Sequence, residues 1–515
     1  MGTRKQYLMA LDFGTGAGRC VLAEVSGQET HTGYIEWAFD APPDAQPGGF
    51  SFDPEHFWAV LGDASRQAMR RGGVRPEQVI AVSTTALREG FVLLDEAGKE
   101  IWAVPNRDAR AYRESAEVSA RLGQRMNDVS GHWPNPIMAP SRFLWLQRNQ
   151  PHVLERTRTL LMINDWMVYC LCGEKACEPT NAAETCLFDI AELDWDAGLI
   201  EACGVPREIF PPIARNGTVL GSVTAQAAEE TGLLEGTAVV VGGADTQCGV
   251  LGSGAVEPGQ TVIVAGTSTP IQMVLPKPVI DTLGRTWSGP HVPKERWVLE
   301  SNAGATGSVQ RWFRDSFCQE EMAAAERGEG DVYALMTAKA MTSPIGSGGV
   351  VCLTGFRVMN ARGVGAPVMS GFVIGNERAI MAETDSKRHF LRSMLESHAF
   401  AARGNIAQLQ EIAGSGPTEV IICGGWSNSD IWAQMVADVM GTAVHRPRVA
   451  EATAVGTAVC GGVGVGVYQD IAQGVESLVR MRELVEPDLG RQAQYEAPYQ
   501  AWLALRSLNP PTAGA

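Results

Sequence analysis

Two stretches of this chain, 252 positions apart, carry the same short pattern, and that repetition constrains the fold more than any other feature. The first runs Tyr7-Leu8-Met9-Ala10-Leu11, through Asp12-Phe13-Gly14-Thr15-Gly16-Ala17-Gly18, into Arg19-Cys20-Val21-Leu22-Ala23-Glu24-Val25. The second runs Thr261-Val262-Ile263-Val264-Ala265, through Gly266-Thr267-Ser268-Thr269, into Ile271-Gln272-Met273-Val274-Leu275. Both read as strand, Gly/Thr turn, strand. The same two residues at the same place in two hairpins predict an internal structural duplication. A chain of 515 residues is long enough for two domains with substantial cores. The expected division is 1–255 and 256–515, with a hinge at about 250–260.

The stretch 239–269 contains that seam. An apolar run ends in Gly242-Gly243 and an acid, Asp245; a Gly/Pro break follows; a second apolar run ends in Gly266-Thr267-Ser268. A buried strand that stops at glycines and polar residues delivers its end to a site. One such end on each side of a break predicts two domains meeting at a cleft. The remaining patterns alternate in the α/β manner. Helical periodicity covers 53–72, 140–173, 306–317, 388–413 and 429–440. Strands are expected at 79–83, 91–95, 101–104 and 420–423, and 451–467 reads as a small-residue helix packed closely against a neighbour.

The net charge of -16 argues against a nucleic-acid backbone or an anionic membrane surface as the main partner. A local glycine-rich nest still binds phosphate in an acidic protein. No apolar run is long enough to span a bilayer, and the opening residues lack a signal-peptide pattern, so the cytoplasm is the expected location. The 11 cysteines include Cys170, Cys172 and Cys177, which lack the paired spacing of a metal site and read as reduced thiols.

Each candidate residue has a chemical reading and a plainer one. Asp245 is either a proton acceptor or a helix cap. Asp12 is either a metal-holding acid or a turn residue. Gly14, Thr15 and Gly16, like Gly266 and Thr267, either present backbone N–H groups to phosphate or simply close hairpins. Arg19 reaches phosphate or solvates a strand edge. Gly424-Gly425, with Ser427 to Ser429, either gives a flat adenine room on the backbone or makes a sharp strand–helix turn. Arg88-Glu89 reads as a polyol-binding pair at a strand end or as a surface pair, and Asp108 with Arg110 as a substrate contact or an internal ion pair. Gly14-x-Gly16-x-Gly18 also invites a dinucleotide reading, but that fingerprint needs a helix directly after it, and here a β-rich run follows.

Taken in order, DFGTGAGR, GGADTQCGVLGSG, GTS, GGWSNSDIWAQMVADVMGTAV and EATAVGTA resemble the FGGY family of carbohydrate kinases. The resemblance covers nearly the whole chain. It implies a duplicated actin/hexokinase/Hsp70-type fold, ribonuclease H-like in each half, around a central cleft. It implies ATP with Mg²⁺, and Asp245 as the base that takes a proton from a substrate hydroxyl. Asp12 falls to the metal, with Asp245 beside it. Gly14, Thr15, Gly16, Arg19, Gly266, Thr267, Gly307, Arg311, Gly424, Gly425 and Ser429 fall to the nucleotide. Arg88, Glu89, Asp108 and Asp245 fall to the substrate. Leu87-Arg88-Glu89-Gly90, NRDARA at 106–111, MINDW at 162–166 and WFRDSFC at 312–318 are similar to the autoinducer-2 kinase branch. Xylulokinases usually carry Met-His where this chain has Arg88-Glu89. The implied reaction is ATP-dependent phosphorylation of a terminal hydroxyl on a small sugar or sugar-like polyol, with autoinducer-2 as first candidate and a pentulose or short polyol as the alternative. A non-catalytic ATP switch on the same fold is the rival from another class. Members of the family are often dimers.

Overall fold

Three parallel strands frame the first half of the chain. Tyr7–Phe13 pairs in parallel with Val79–Ala86, which pairs in parallel with Ala238–Ala244. Ala17–Glu24 returns antiparallel beside Tyr7–Phe13 and is followed by Thr30–Glu36; Val219–Ser222 closes the other edge of this six-stranded sheet. The central strands are buried along nearly their whole length, so each reads as a continuous apolar run instead of an alternating one. The computed structural model describes residues 5–363, 370–448 and 451–508.

The described residues divide into two units. One holds those up to 257 with 274–298 and 451–480; the other holds 258–273, 299–450 and those from 481 onward. The return of 451–480 has a packing reason. Helix Ala452–Gly464 lies against helix Asp245–Gly252 so closely that a Cβ on Gly456 would stand 2.0 Å from the Cys248 carbonyl oxygen, and one on Gly252 would stand 1.8 Å from that of Ala452. Only glycine allows two backbones this close.

A second sheet places Pro270–Leu275, Gln260–Val264, Glu419–Cys423 and Val444–His445 side by side in that order, most of it in the second unit. Gln260–Val264 is antiparallel to Pro270–Leu275 and parallel to Glu419–Cys423. This repeats the pattern of the first sheet, in which a hairpin strand is flanked by a parallel strand. Helices Thr306–Phe317, Lys387–Ala413 and Asp430–Met440 belong to this unit.

Two expectations meet the structure directly. The glycines 14–18 are followed by the strand Ala17–Glu24, with Asp12 opposite Arg19 and Phe13 opposite Gly18, so no dinucleotide helix begins there. Gly18 serves packing: a Cβ on it would stand 2.6 Å from the Trp37 ring. The region 140–173 is not helical throughout. Helices Ala139–Asn149, Pro151–Arg156 and Ile163–Cys172 are interrupted by the strand Thr159–Met162, antiparallel to Phe91–Leu94. A four-residue apolar run has too little periodicity to separate strand from helix. Among the described residues no helix is long and apolar enough to cross a membrane.

Candidate active site

The parallel strands of the first unit place their C-terminal ends along one edge. Asp12 and Gly243 both stand opposite Thr85, and Phe13 and Ala244 both stand opposite Ala86. Asp12, Arg88-Glu89 and Asp245 therefore leave the sheet together. Residues outside the carboxyl ends of parallel strands face the crevice where ligands of open α/β sheets bind.

Asp245 is the first residue of helix Asp245–Gly252. Ala244 occupies the cap position, and no side chain caps this helix. The acid is half-buried. The Thr246 hydroxyl donates to its Oδ1 at 3.1 Å, and the Thr453 hydroxyl donates to its backbone carbonyl at 3.2 Å. Burial pushes its carboxyl above the usual range, opposed by the Arg88 charge and the Thr246 contacts and reinforced by Glu184.

Behind the strand end lies a polar network that the sequence does not reveal. Glu178, fully buried, accepts the Thr180 hydroxyl at 2.7 Å and the Asn216 amide at 2.9 Å. Thr180 Oγ1 in turn accepts the Ala244 N–H, and Asn216 donates to the Gly242 carbonyl. Both flanks of the strand end that carries Asp245 are thus tied to one carboxylate.

Asp12 is buried, with Arg19 Nη1 3.3 Å from its Oδ2 across the hairpin; Arg19 Nε lies 3.9 Å from Glu451. Burial raises the Asp12 carboxyl to about 6. Arg19 opposes this, and the charges of Asp245 and Glu451 add to it. Among the described residues no cluster of three or more acids, histidines or cysteines is drawn together as a preformed metal site.

The two Gly/Thr turns are alike in exposure, although the first closes over three residues and the second over two. Gly14 and Gly266 are half-buried; Thr15, Gly16, Thr267 and Ser268 are exposed. The Gly14 N–H bonds to the Ala17 carbonyl, and the Gly266 N–H to that of Ser268, both at 3.0 Å. A Cβ on Gly16 would meet nothing within 4 Å, and one on Gly266 only the Ser268 oxygen at 3.6 Å. Internal packing does not demand these glycines, whose effect is to leave backbone uncovered. Gly307 acts on the second turn from beneath: its N–H bonds to the Thr267 carbonyl at 3.1 Å, and a Cβ would stand 2.3 Å from the Gly266 oxygen. It shapes the turn by close approach. Arg311, one turn further along the helix, is exposed.

Gly266-Thr267 and Gly424-Gly425 leave the second sheet at the same end, since Val264 stands opposite Cys423. Gly424 has φ 84°, and a Cβ would stand 2.5 Å from the Ala265 oxygen; Gly425 is exposed with open space above it. Ser429 caps helix Asp430–Met440, accepting the Trp432 N–H at 3.2 Å, so its hydroxyl has a structural task.

Arg88 and Glu89 are both buried, so they are not a surface pair. Arg88 Nη1 donates to Glu184 Oε1 at 3.1 Å, and its guanidinium lies 5.5 Å from the Trp287 ring centroid. Glu89 has φ 61°, an uncommon conformation for a residue with a side chain and one concentrated at functional sites. Asp108 has a different setting. It is fully buried, accepts Arg110 Nε at 2.7 Å and the Phe50 N–H at 2.9 Å, and has Arg142 Nε 3.2 Å from its other oxygen. Arg110 lies between the Trp102 and Trp145 rings. The geometry of Asp108 is that of the internal ion pair, with its oxygens turned to arginines and backbone. Glu184 and His132, whose Nε2 lies 3.2 Å from Glu184 Oε2, join the Arg88 cluster without any motif to announce them.

Residues 7–252 match the N-terminal domain of the FGGY family of carbohydrate kinases, and 261–465 match its C-terminal domain. The chain is similar to the autoinducer-2 kinase of Yersinia enterocolitica, 37% identical over 98% of this chain and 94% of that protein. It is also similar to the autoinducer-2 kinase of Escherichia coli K12, 36% identical over 97% of this chain and 94% of that protein. Among solved structures, the ligand-bound xylulose kinase of Lactobacillus acidophilus shares the fold, with a TM-score of 0.84 at 18% identity over 98% of each chain. That fold is the mixed α/β, actin-like one with two sheet-containing domains. This chain belongs to the FGGY family of carbohydrate kinases and is a phosphotransferase that uses ATP to phosphorylate a small sugar or sugar-like polyol.

Proposed function

We propose that Asp245 is the general base of this kinase and that its acceptor is autoinducer-2, the linear dihydroxypentanedione, phosphorylated on a terminal hydroxyl. One observation carries the assignment of the base: Asp245 opens a helix at the same sheet edge as Asp12 and Arg88-Glu89, without a capping task. The name shared by the relatives at 36–37% identity supports the acceptor.

A hydroxyl is a weak nucleophile, and a carboxylate within hydrogen-bond reach takes its proton as the phosphoryl group transfers. Burial makes Asp245 a better proton acceptor than a solvated carboxylate, and the Arg88 charge opposes that rise. Arg88 and Glu89 orient the acceptor. The uncovered turns at Gly14-Thr15-Gly16 and Gly266-Thr267 offer N–H and hydroxyl groups to phosphate oxygens, with Arg19 beside the first. Gly424-Gly425 leaves the backbone open to the adenosine. The acids Asp12 and Asp245 suit Mg²⁺, which when bound neutralises charge on the β- and γ-phosphates. ATP as phosphoryl donor makes the cytoplasm the compartment of this reading.

The test is Asp245→Asn together with an acceptor panel of dihydroxypentanedione, D-xylulose, D-ribulose and erythritol. The variant should fold and bind ATP yet lose transfer by about a thousandfold or more, within the 10²–10⁴ range of general-base contributions. Turnover near that of the parent removes Asp245 from the role. A panel in which another acceptor exceeds dihydroxypentanedione in kcat/KM replaces the substrate and leaves the base in place.

A further inference from the structure

Glu184 has no part in the mechanism above, yet it is the buried carboxylate at the centre of the substrate-side cluster. It sits in the short turn Ala183–Thr185 and is 1% exposed. Its Oε1 accepts Arg88 Nη1 at 3.1 Å and faces the Gln247 amide at 3.5 Å; its Oε2 faces His132 Nε2 at 3.2 Å. The Trp287 indole covers the same group, 5.5 Å from the Arg88 guanidinium and 5.8 Å from the His132 ring. Arg88 is therefore held between a carboxylate and an aromatic face, on the strand-end edge that also carries Asp245.

A guanidinium in a sugar site has two distinct uses. With its charge uncompensated, it binds a carboxylate or phosphate on the substrate. With its charge balanced by a fixed protein carboxylate, it donates hydrogen bonds to neutral hydroxyls and has little attraction left for an anion. Burying an acid costs solvation unless a cation meets it, so a Glu placed here needs Arg88 to be tolerated. Charge pairing in a closed site also rejects the wrong ligand, because an extra anion there meets Glu184 and Asp245 at short range in a low-dielectric setting.

We propose that Glu184 is the residue that fixes the charge class of the acceptor: by balancing Arg88 it makes this kinase selective for uncharged polyols and ketoses over sugar acids. This rests on the reading of Arg88 as a substrate contact, and it assigns to Glu184 a specificity role separate from the chemistry at Asp245.

The experiment compares kcat/KM of the full-length protein with saturating ATP for neutral acceptors (dihydroxypentanedione, D-xylulose, erythritol) and for aldonates (D-gluconate, D-erythronate). Wild type should favour its best neutral acceptor over either aldonate by about a hundredfold or more. Glu184→Gln preserves size and an oxygen acceptor for Arg88 but removes the charge. It should narrow the ratio at least tenfold, chiefly because aldonate turnover rises. Glu184→Asp, which keeps the charge one methylene further back, should shift the ratio less and in the same direction, and it serves as the reporter if the Gln variant does not fold. Equal losses on both classes, with the ratio unchanged, overturn the role of Glu184 and leave the kinase reading intact. A wild type that takes aldonates as readily as neutral acceptors overturns it whatever the variants do. A wild type that turns over nothing on the panel removes the substrate reading and this proposal with it.

Discussion

Thr180 Oγ1 accepts the backbone N–H of Ala244 at 2.8 Å, one residue before Asp245, while its own proton goes to Glu178 at 2.7 Å. The direction of each bond follows from chemistry: a carboxylate only accepts, so the Thr180 hydroxyl donates to it and turns a lone pair to Ala244. Glu178 also accepts the Thr180 and Asn181 N–H groups at 2.7 Å each, which accounts for a carboxylate in so buried a place.

Replacement of Thr180 by Val keeps the shape and removes the acceptor. The Ala244 N–H then lacks its partner and the helix start is free to shift. The expected result is a fall in kcat of roughly 10- to 100-fold with KM for ATP unchanged, since ångström-scale misplacement of a reacting group costs about that much. Thr180→Ser keeps the hydroxyl and should stay within about threefold of wild type. Steady-state kinetics with both variants separates positioning from loss of fold, because a folding defect lowers the active fraction without this difference between Ser and Val.

Asp108 supports a second prediction that divides its two readings. It is the anion of a buried Arg110/Arg142 cluster, and burial lowers Arg142 to about 10 despite that partner. Asp108→Asn removes one member of a buried pair and should cost about 3–5 kcal/mol of stability. In the folded fraction, KM for the sugar should remain within about twofold of wild type. Denaturant unfolding and kinetics measure the two separately. A large rise in KM for the sugar with little loss of stability returns Asp108 to the substrate.

The strand ends that carry Asp12, Arg88 and Asp245 are legible in the sequence because each is a buried apolar run cut off by Gly, Thr or a charge, a local signal. The matched turns at Gly14 and Gly266 are legible for the same reason. Glu184 is not, because its meaning comes from Arg88, 96 residues away, and its own neighbours Ala183, Thr185 and Cys186 carry no pattern. Ser429 shows the converse. Its place before a helix suits either a ligand or a cap, and only the 3.2 Å contact with the Trp432 N–H shows which task the hydroxyl performs. The small residues of 452–464 announce close packing, but nothing local says that the partner is the helix opened by Asp245.

Gly424 allows a test of the nucleotide side alone. It combines φ 84° with a Cβ position 2.5 Å from the Ala265 oxygen, and Ala265 directly precedes the Gly266-Thr267 turn. The same Ala265 oxygen accepts the Trp426 N–H at 3.3 Å. Gly424→Ala adds strain of about 1–3 kcal/mol and displaces both the Gly424-Gly425 backbone and the Gly266-Thr267 turn, to which the proposed function gives adenosine and phosphate. KM for ATP should rise about tenfold or more while KM for the sugar stays near its wild-type value. Parallel rises in both constants would mean that Gly424 serves general stability.

His398 makes the second unit acid-sensitive. Its Nε2 meets the Thr269 hydroxyl at 3.0 Å, and that hydroxyl also meets Thr306 Oγ1 at 2.7 Å. The ring lies 4.6 Å from Trp426 and 4.4 Å from Trp432. Burial among them lowers the imidazole to about 3. The unfolded chain takes up a proton below about pH 6.5 and the native state does not, so the native state's advantage is complete above 6.5 and is lost as pH falls toward 3. The slope is about 1.4 kcal/mol per pH unit, which amounts to about 2 kcal/mol at pH 5. His291, lowered to about 4 by burial, adds a loss of the same sign in the other unit. Urea unfolding at pH 7.5 and pH 5.0 should therefore show a drop in wild type that is smaller by about 2 kcal/mol in His398→Gln. Equal drops in the two proteins would mean that the native state admits a proton at this ring after all.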